Sequence, residues 1–273
     1  MAVQAASAQA EIQEVRIGAL QVRLPRPVGG CLNAGVQALQ CGDAEQAIEW
    51  IAAAAVCDIQ QYQQTLLKSA AEANVLVEMY LAAFARAGLQ PAAPIARPVS
   101  RPLRVAYVLS QIAIGQGPAR RVTSMVEMHD RSVVEPMVFC AEELTTRQPE
   151  LRYLQTPHAP SSEVGDPYIQ RMRQVGVDPV LVPTQGGFLI AGQWLAQRMR
   201  AAQPDVAVFV GTVASPIQAI AAHLRVAPVQ INQNPGVPLP LPCFEGMIYH
   251  NGACAAIDQE TLASRGIQPC VVE

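Results

Sequence analysis

The stretch from Gln203 to Gly236 limits the possible folds more than any other part of the chain. Val206 to Val210 is an apolar run rich in β-branched residues, and Ala227 to Ile231 is a second such run. Between them, Ser215 suits an N-cap and Gln218 the third helical position, where each side chain can accept a hydrogen bond from a free backbone amide. Both runs are apolar on both faces, which is typical of parallel strands covered by helices. The stretch therefore predicts a β-loop-α-β unit.

The same alternation of apolar runs and helical patterns extends to both sides of this unit. Further predicted strands are Leu103–Leu109, Val133–Cys140, Val177–Val182 and Met247–His250, and further predicted helices begin at Pro118, Asp166, Phe188 and Asp258. Strands that alternate with helices in this way form doubly wound parallel sheets with right-handed crossovers. Residues 103–273 therefore predict an α/β, Rossmann-like domain, and its strand-like ending leads us to expect that the domain is truncated at Glu273.

Composition divides the preceding residues into three parts. Residues 1–27 are a leader rich in Ala and Gln that we expect to be loosely ordered, and residues 91–102 are a Pro-rich linker. Residues 28–90 predict helices, with a turn at Gly42 and an N-cap at Asp43. The small residues along the first two helices resemble one tetratricopeptide repeat. An ordinary Ala-rich helical hairpin fits the same pattern.

The composition excludes several classes of function. A formal net charge of -3, a pI of about 5.8 and only 5 % aromatic residues argue against a nucleic-acid partner. The seven cysteines contain no CxxC pair, so we expect reduced, mostly buried thiols and no metal site. The chain lacks a P-loop, an HExxH and a GxSxG motif, and we expect no cofactor. The sequence contains neither a signal-peptide pattern nor an apolar run long enough to span a membrane, so we predict a cytoplasmic location.

The first candidate for a binding site is the loop after the strand at Leu103–Leu109. Gly115 and Gly117 would let backbone amides approach a ligand at the start of the next helix, where the helix dipole favours an anion. The same glycines fit a plain connecting turn. A nicotinamide dinucleotide is another alternative, with Glu142 binding the ribose, although its fingerprint needs a glycine in place of Arg120. The adjacent acids at 142 and 143 stand where a catalytic carboxylate could act, but two neighbouring acids at the end of a strand are expected to be solvated.

A second candidate is the polar loop that follows the strand at Ala227–Ile231. Asn232 and Asn234 carry amides that donate and accept hydrogen bonds, as sugar hydroxyls require, and Gly236 helps to fix the turn. An ordinary Asn-Pro-Gly turn is the alternative. His158 lies in a polar, Pro-containing segment of the kind that reaches over an active site, or it is a solvated loop histidine.

These motifs resemble a known family of enzymes. The segments that carry the resemblance are LRVAYVLSQIAIGQGPARRV, HDRSVVEPMVF, PDVAVFVGTVASPIQAIAAHLRVAPVQINQNPG and FEGMIYHN. They are similar to the N-terminal half of GT-B-fold glycosyltransferases, above all to the branch related to O-linked N-acetylglucosamine transferases, in which tetratricopeptide repeats precede the catalytic region. That branch commonly carries a histidine in the first loop, where this chain has QIAIGQG. The catalytic base is therefore unassigned.

The resemblance implies a division of labour between two Rossmann-like domains. The first shapes the acceptor side, and the second, which lies outside this chain, binds most of the nucleotide sugar without a metal. We therefore expect the acceptor-side half of a glycosyltransferase that transfers a hexosyl or N-acetylhexosaminyl group to a protein or glycan, inactive without its second half. A protein partner at the helical hairpin is also expected. The alternatives are a non-catalytic protein-interaction module and, less favoured, a nicotinamide-dependent oxidoreductase.

Overall fold

A parallel β-sheet of seven strands forms the framework of the computed structural model, which describes residues 12–17, 20–61, 70–93, 95–96, 99, 101–143, 159–233, 238–250 and 252–272. The described residues contain these seven strands and two more, which are numbered together in chain order. They are β1 (Ile12–Ile17), β2 (Leu20–Pro25), β3 (Leu103–Leu109), β4 (Val134–Cys140), β5 (Val180–Leu181), β6 (Val206–Val210), β7 (Val229–Gln233), β8 (Gly246–Tyr249) and β9 (Gln268–Val271). β1 and β2 form a separate antiparallel hairpin. Among the described helices, none is long and apolar enough to cross a membrane.

The helices lie before and between these strands. They are α1 (Arg26–Cys41), α2 (Ala44–Gln61), α3 (Ala70–Arg86), α4 (Gly117–Met128), α5 (Ser161–Val164), α6 (Asp166–Gln174), α7 (Phe188–Ala202), α8 (Pro216–His223) and α9 (Gly252–Ser264). The order of strands in the sheet is β5-β4-β3-β6-β7-β8-β9. The chain thus builds outward from β3 to β5 and returns to the other side of β3 with β6. This doubly wound topology confirms the predicted Rossmann-like domain with helices before it.

The element boundaries agree closely with the predicted ones at β3, β6 and α7. The predicted strand at Val177–Val182 is wrong in length, because the Val177 amide donates to Met172 O (2.9 Å) and Gly176 has a φ of +80°, so both residues end α6. β7 begins two residues later than predicted, since Pro228 has no amide to donate to a strand ladder.

The first two helices form the predicted hairpin. Gly42 adopts a φ of +86° between them, and the Asp43 carboxylate accepts a hydrogen bond from the Gln46 amide at 3.0 Å, which confirms the N-cap. Gly35 lies where the helices approach each other, since a Cβ added there would be 3.4 Å from Trp50 Cβ and 2.9 Å from Met79 Cε.

The helices α1–α3 share one hydrophobic core with the sheet. Buried residues of α3, including Leu76 and Phe84, belong to the same cluster as Phe209 of β6 and Ile220 of α8. The opposite face of β3, β4 and β6 is covered by α4 and α6, which form a second cluster. The N-terminal helices are therefore packed onto the same side of the sheet as α7 and α8.

One carboxylate from the helical hairpin caps a helix of the α/β domain. Glu45, in the first turn of α2, accepts hydrogen bonds from the amides of Phe188 and Leu189 at the start of α7, the latter at 2.9 Å. These two amides have no partner within their own helix, and the negative charge also suits the helix dipole. Glu45 therefore stabilises α7 from outside it.

We expect the Glu45→Ala variant to lower the free energy of unfolding by about 1–2 kcal/mol, because two amides of α7 lose their acceptor. Urea denaturation followed by circular dichroism measures this change. The control is Glu260→Ala, which removes an exposed carboxylate from α9 and should leave the unfolding free energy nearly unchanged. Equal effects of the two variants would contradict the capping role.

Candidate functional site

The carboxyl ends of β3, β4 and β6 meet where the chain reverses its direction of strand addition. Leu109 pairs with Cys140 of β4 and with Val210 of β6, so the three strands end at the same level. The loops that follow them converge at this edge, which is where doubly wound sheets bind their ligands. The described parts of these loops form the candidate site.

Glu143 is the central residue of this edge. Its amide donates to Ser110 O at 2.9 Å, and its carboxylate accepts hydrogen bonds from the Gln218 amide at 2.9 Å and from Gln218 Nε2 at 3.1 Å. Only 3 % of Glu143 is exposed. Burial raises the pKa of this carboxyl above its usual value, although hydrogen bonds from Gln218, Ser110 and Ser215 act in the opposite direction. The expectation that the acids at 142 and 143 are solvated is therefore wrong.

The first turn of α8 is capped by Glu143 instead of Ser215. The predicted helix start is correct, but Ser215 makes no capping hydrogen bond with its side chain. Its hydroxyl accepts from the Thr212 amide at 3.1 Å and lies 3.0 Å from Ser110 Oγ, which in turn accepts from Gln218 Nε2 at 2.8 Å. The buried residues Glu143, Ser215 and Gln218 thus form one polar network with the half-buried Ser110, here called the Glu143 network. It connects the ends of β3, β4 and β6.

A glycine and a tyrosine hold this network in place. A Cβ added at Gly211 would be 2.7 Å from Gln218 Oε1, so any larger residue would displace the amide from the network. Tyr80 of α3 is fully buried and donates a hydrogen bond to Val213 O at 2.8 Å, in the loop between β6 and α8. Burial, followed by the nearby charge of Glu143, holds the pKa of Tyr80 well above its usual value, so the phenol remains a donor.

Glu142 is buried next to this network in a backbone conformation that is uncommon for a residue with a side chain. Its φ is +56°, and its carboxylate accepts hydrogen bonds from the Ser161 amide at 3.2 and 3.3 Å. These bonds fasten the start of α5 to the end of β4. A carboxylate held in this way faces a backbone amide of its own chain, whereas a nicotinamide enzyme needs it to bind a ribose.

The predicted glycines lie at the exposed part of the edge. Gly115 has a φ of +85°, which explains the glycine there, and Gly117 is the first residue of α4. A Cβ added to either residue would meet no atom within 4 Å. Gln116, the N-cap of α4, makes no capping hydrogen bond with its side chain. The start of α4 is therefore open to a ligand, in contrast to that of α8.

The predicted polar loop after β7 is only partly within the described residues. Asn232 is fully buried, and its Nδ2 donates to Phe209 O and Gly211 O, both at 3.1 Å, so it connects β7 to β6. Asn234, Gly236 and His158 lie outside the described residues. The sequence analysis did not predict the Glu143 network. The only local signal for it is a pair of acids directly after a buried strand.

Two cavities of the protein lie away from this edge, and the described residues form neither a metal site nor a disulfide. Two open cavities of about 480 and 500 Å³ lie near the amino end of β4 and between Leu89 and α7, and neither includes a residue of the Glu143 network. No group of His, Cys, Asp and Glu side chains among the described residues could hold a metal ion. The six described cysteines form no disulfide.

Comparison with known proteins shows a structural likeness. No family model matches the chain, and no curated protein matches its sequence. Among solved structures, a mutant O-GlcNAc transferase of Thermobaculum terrenum superimposes with a TM-score of 0.52 at 16 % sequence identity. The match covers 91 % of this chain but only 44 % of that protein. The chain therefore has a glycosyltransferase-like fold and spans less than half the length of this neighbour.

The raised pKa of Glu143 predicts a pH-dependent stability. In the folded protein this carboxyl keeps its proton at pH values where the unfolded chain, with a pKa near 4.5, has released it. Stability is therefore lost as the pH rises from that value through the folded pKa. We expect the Glu143→Gln variant to lack this loss, so that its stability relative to wild type is greater at about pH 8 than at about pH 4.

Urea denaturation of both proteins at the two pH values measures the difference. The matched control is Glu163→Gln, which changes an exposed carboxylate and should show no such trend. A difference between Glu143→Gln and wild type that does not change with pH would mean that Glu143 is ionised in the folded protein at an ordinary pKa.

Proposed function

We propose that this chain is the acceptor-side half of a nucleotide-sugar-dependent glycosyltransferase that acts on a protein or glycan. The fold likeness to an O-GlcNAc transferase, together with the limited share of that protein which the chain covers, supports this proposal. The donor nucleotide would be bound mainly by a second Rossmann-like domain. Transfer needs donor and acceptor to be held together, so we expect this chain alone to be inactive.

The contrast between two helix starts is the observation that carries the proposal. The start of α8 is satisfied by Glu143, while the start of α4 has no side-chain cap and lies beside two glycines with open space above them. Backbone amides at such a position attract an anionic group. The loop at Gly115 and Gly117 is accordingly our candidate for contact with the charged part of the donor. Asn232 acts from inside, by holding the neighbouring loop, and Asn234, Gly236 and His158 remain candidates for acceptor contacts.

The N-terminal helices favour an integrated role over the interaction module. Glu45 caps α7 and Tyr80 binds the loop after β6, so the helices contribute directly to the shape of the α/β domain. A tetratricopeptide-like ancestry and a protein partner at the hairpin are compatible with these contacts. The engagement of Glu142 by Ser161 disfavours the nicotinamide alternative.

The experiment that tests the proposal is ligand binding to the isotopically labelled 273-residue chain, followed by NMR. Nucleotide sugars with uridine, guanosine and thymidine diphosphate and short acceptor glycans or peptides are titrated in turn. We expect weak binding, with shifts centred on the loops after β3 and β7. If no nucleotide sugar or acceptor shifts these loops, or if NAD shifts them more strongly, the proposal is wrong.

The Gly117→Ala variant separates ligand contact from folding. Its methyl group would meet no protein atom within 4 Å, so the melting temperature should stay unchanged. If the nucleotide-sugar donor approaches the backbone here, the methyl group should weaken its binding about tenfold, or by ~1.4 kcal/mol. Isothermal titration calorimetry measures the change. Gly252→Ala, at the exposed start of α9, is the matched control, and an equal loss in both variants would argue against a specific role for Gly117.

A further inference from the structure

Three polar side chains from separate elements meet at the carboxyl edge beyond the Glu143 network. Arg121 lies in α4, Gln233 is the last residue of β7, and His250 directly follows β8. Arg121 Nη1 is 2.5 Å from His250 Nε2, and Gln233 Nε2 is 3.4 Å from the same nitrogen. These three residues are called the Arg-His-Gln cluster. The cluster lies on the same edge of the sheet as Gly117. Its Arg121 is in the turn of α4 that follows Gly117.

Hydrogen-bond donors outnumber acceptors in this cluster. The guanidinium of Arg121 has five N–H donors and no acceptor, and the amide of Gln233 adds two donors. Both groups approach the single lone pair of His250 Nε2. In the described part of the chain, Arg121 makes no ion pair with a carboxylate. The cluster therefore has unused positive charge and unused donors.

The amide oxygen of Gln233 is a second and independent observation. Gln233 is only 5 % exposed, and its Oε1 is buried without a hydrogen-bond partner among the described residues. Because this oxygen is bonded to the same carbon as the nitrogen that faces His250, it lies within the cluster. Buried amide oxygens without a partner are uncommon in folded proteins and call for a donor from elsewhere.

The surroundings of His250 are ones that a bound anion would stabilise. Partial burial, followed by the nearby charge of Arg121, lowers the pKa of His250 below 6.5. Because the Arg121 guanidinium can only donate, the contact at Nε2 requires an unprotonated Nε2, with the ring proton on Nδ1. An anion placed between the two side chains would reverse the effect of Arg121 and favour the protonated ring.

We propose that Arg121, Gln233 and His250 bind a phosphate group of a nucleotide-sugar ligand. A neighbouring hydroxyl of the same ligand would donate a hydrogen bond to Gln233 Oε1. An arginine fork and an imidazole both donate to phosphate oxygens, which accept only, so a phosphate group removes the excess of donors. This inference deepens the proposed function by adding this cluster to the loop at Gly115 and Gly117 as a contact for the phosphate of a nucleotide sugar. It depends on that function only for the identity of the whole ligand.

The test uses inorganic pyrophosphate, uridine diphosphate and a uridine diphosphate sugar as probes for the full chain. Calorimetry gives each affinity, and NMR of the His250 ring gives its pKa. We expect pyrophosphate to bind and to raise the pKa of His250, and Arg121→Ala to weaken that binding by about tenfold or more. In the ligand-free protein, Arg121→Ala should itself raise the pKa of His250, because a neighbouring positive charge is removed.

The matched control is Arg120→Ala, which removes the same charge from an exposed position one residue away on α4. It should weaken pyrophosphate binding by less than about threefold. A second variant, His250→Gln, should also weaken binding while leaving the melting temperature unchanged. Equal losses in the Arg120 and Arg121 variants would mean unspecific attraction of anions, and an absence of pyrophosphate binding would mean that the cluster only fastens α4 to β8. Either result overturns the site.

The three probes separate this proposal from the proposed function. If pyrophosphate binds through Arg121 but the nucleotide sugar does not bind, the phosphate site stands and the transferase proposal loses its support. If the nucleotide sugar binds with the same affinity in wild type and Arg121→Ala, the cluster is not its phosphate site, although the transferase proposal survives.

Discussion

Glu143 places a carboxylate inside the protein at the start of α8, and the arrangement of the candidate site depends on this contact. The carboxylate accepts two hydrogen bonds from Gln218, which also binds Ser110, so one acid connects the ends of β3 and β4 to the helix that follows β6. Buried carboxyl groups are costly unless they are hydrogen-bonded, and Glu143 accepts two hydrogen bonds while its burial raises its pKa above the usual value. The first turn of α8, at the reversal point, is thereby satisfied internally, whereas the start of α4 has no side-chain cap.

The helices before the α/β domain also supply side chains that satisfy backbone groups of other elements. Tyr80 reaches the loop after β6 through its phenol, and Glu45 closes the first turn of α7. Both contacts satisfy backbone groups of the α/β domain that have no partner in their own element. Removing these helices would therefore expose apolar surface and leave polar groups unpaired close to the candidate site. The helices and the sheet depend on each other for stability.

Local patterns in the sequence predicted most of the fold, because buried parallel strands and capped helices leave local signals. β3 and α7 follow directly from apolar runs and their boundaries, and the cap at Asp43 follows from its position after Gly42. The candidate site was less accessible to such reasoning. Its main contact joins an acid after β4 to the third residue of α8, and no local rule indicates that Ser215 would yield its capping role to a residue so distant in the sequence. The likeness in fold to a known transferase agrees with the resemblance drawn from the motifs.

The sequence separations of the contacts in the Glu143 network, and of the Tyr80 contact that supports it, bear on how the protein folds. Glu143 and Gln218 are 75 residues apart, Ser110 and Ser215 are 105 apart, and Tyr80 and Val213 are 133 apart. Contacts between residues so far apart in the sequence form only after the intervening loops have been closed, and the entropic cost of closing them slows folding. During synthesis on the ribosome, Glu143 emerges well before the helix that receives it. The candidate site at this edge is accordingly one of the last parts of the α/β domain to be completed, and a nascent chain that stops before α8 lacks the Glu143 network.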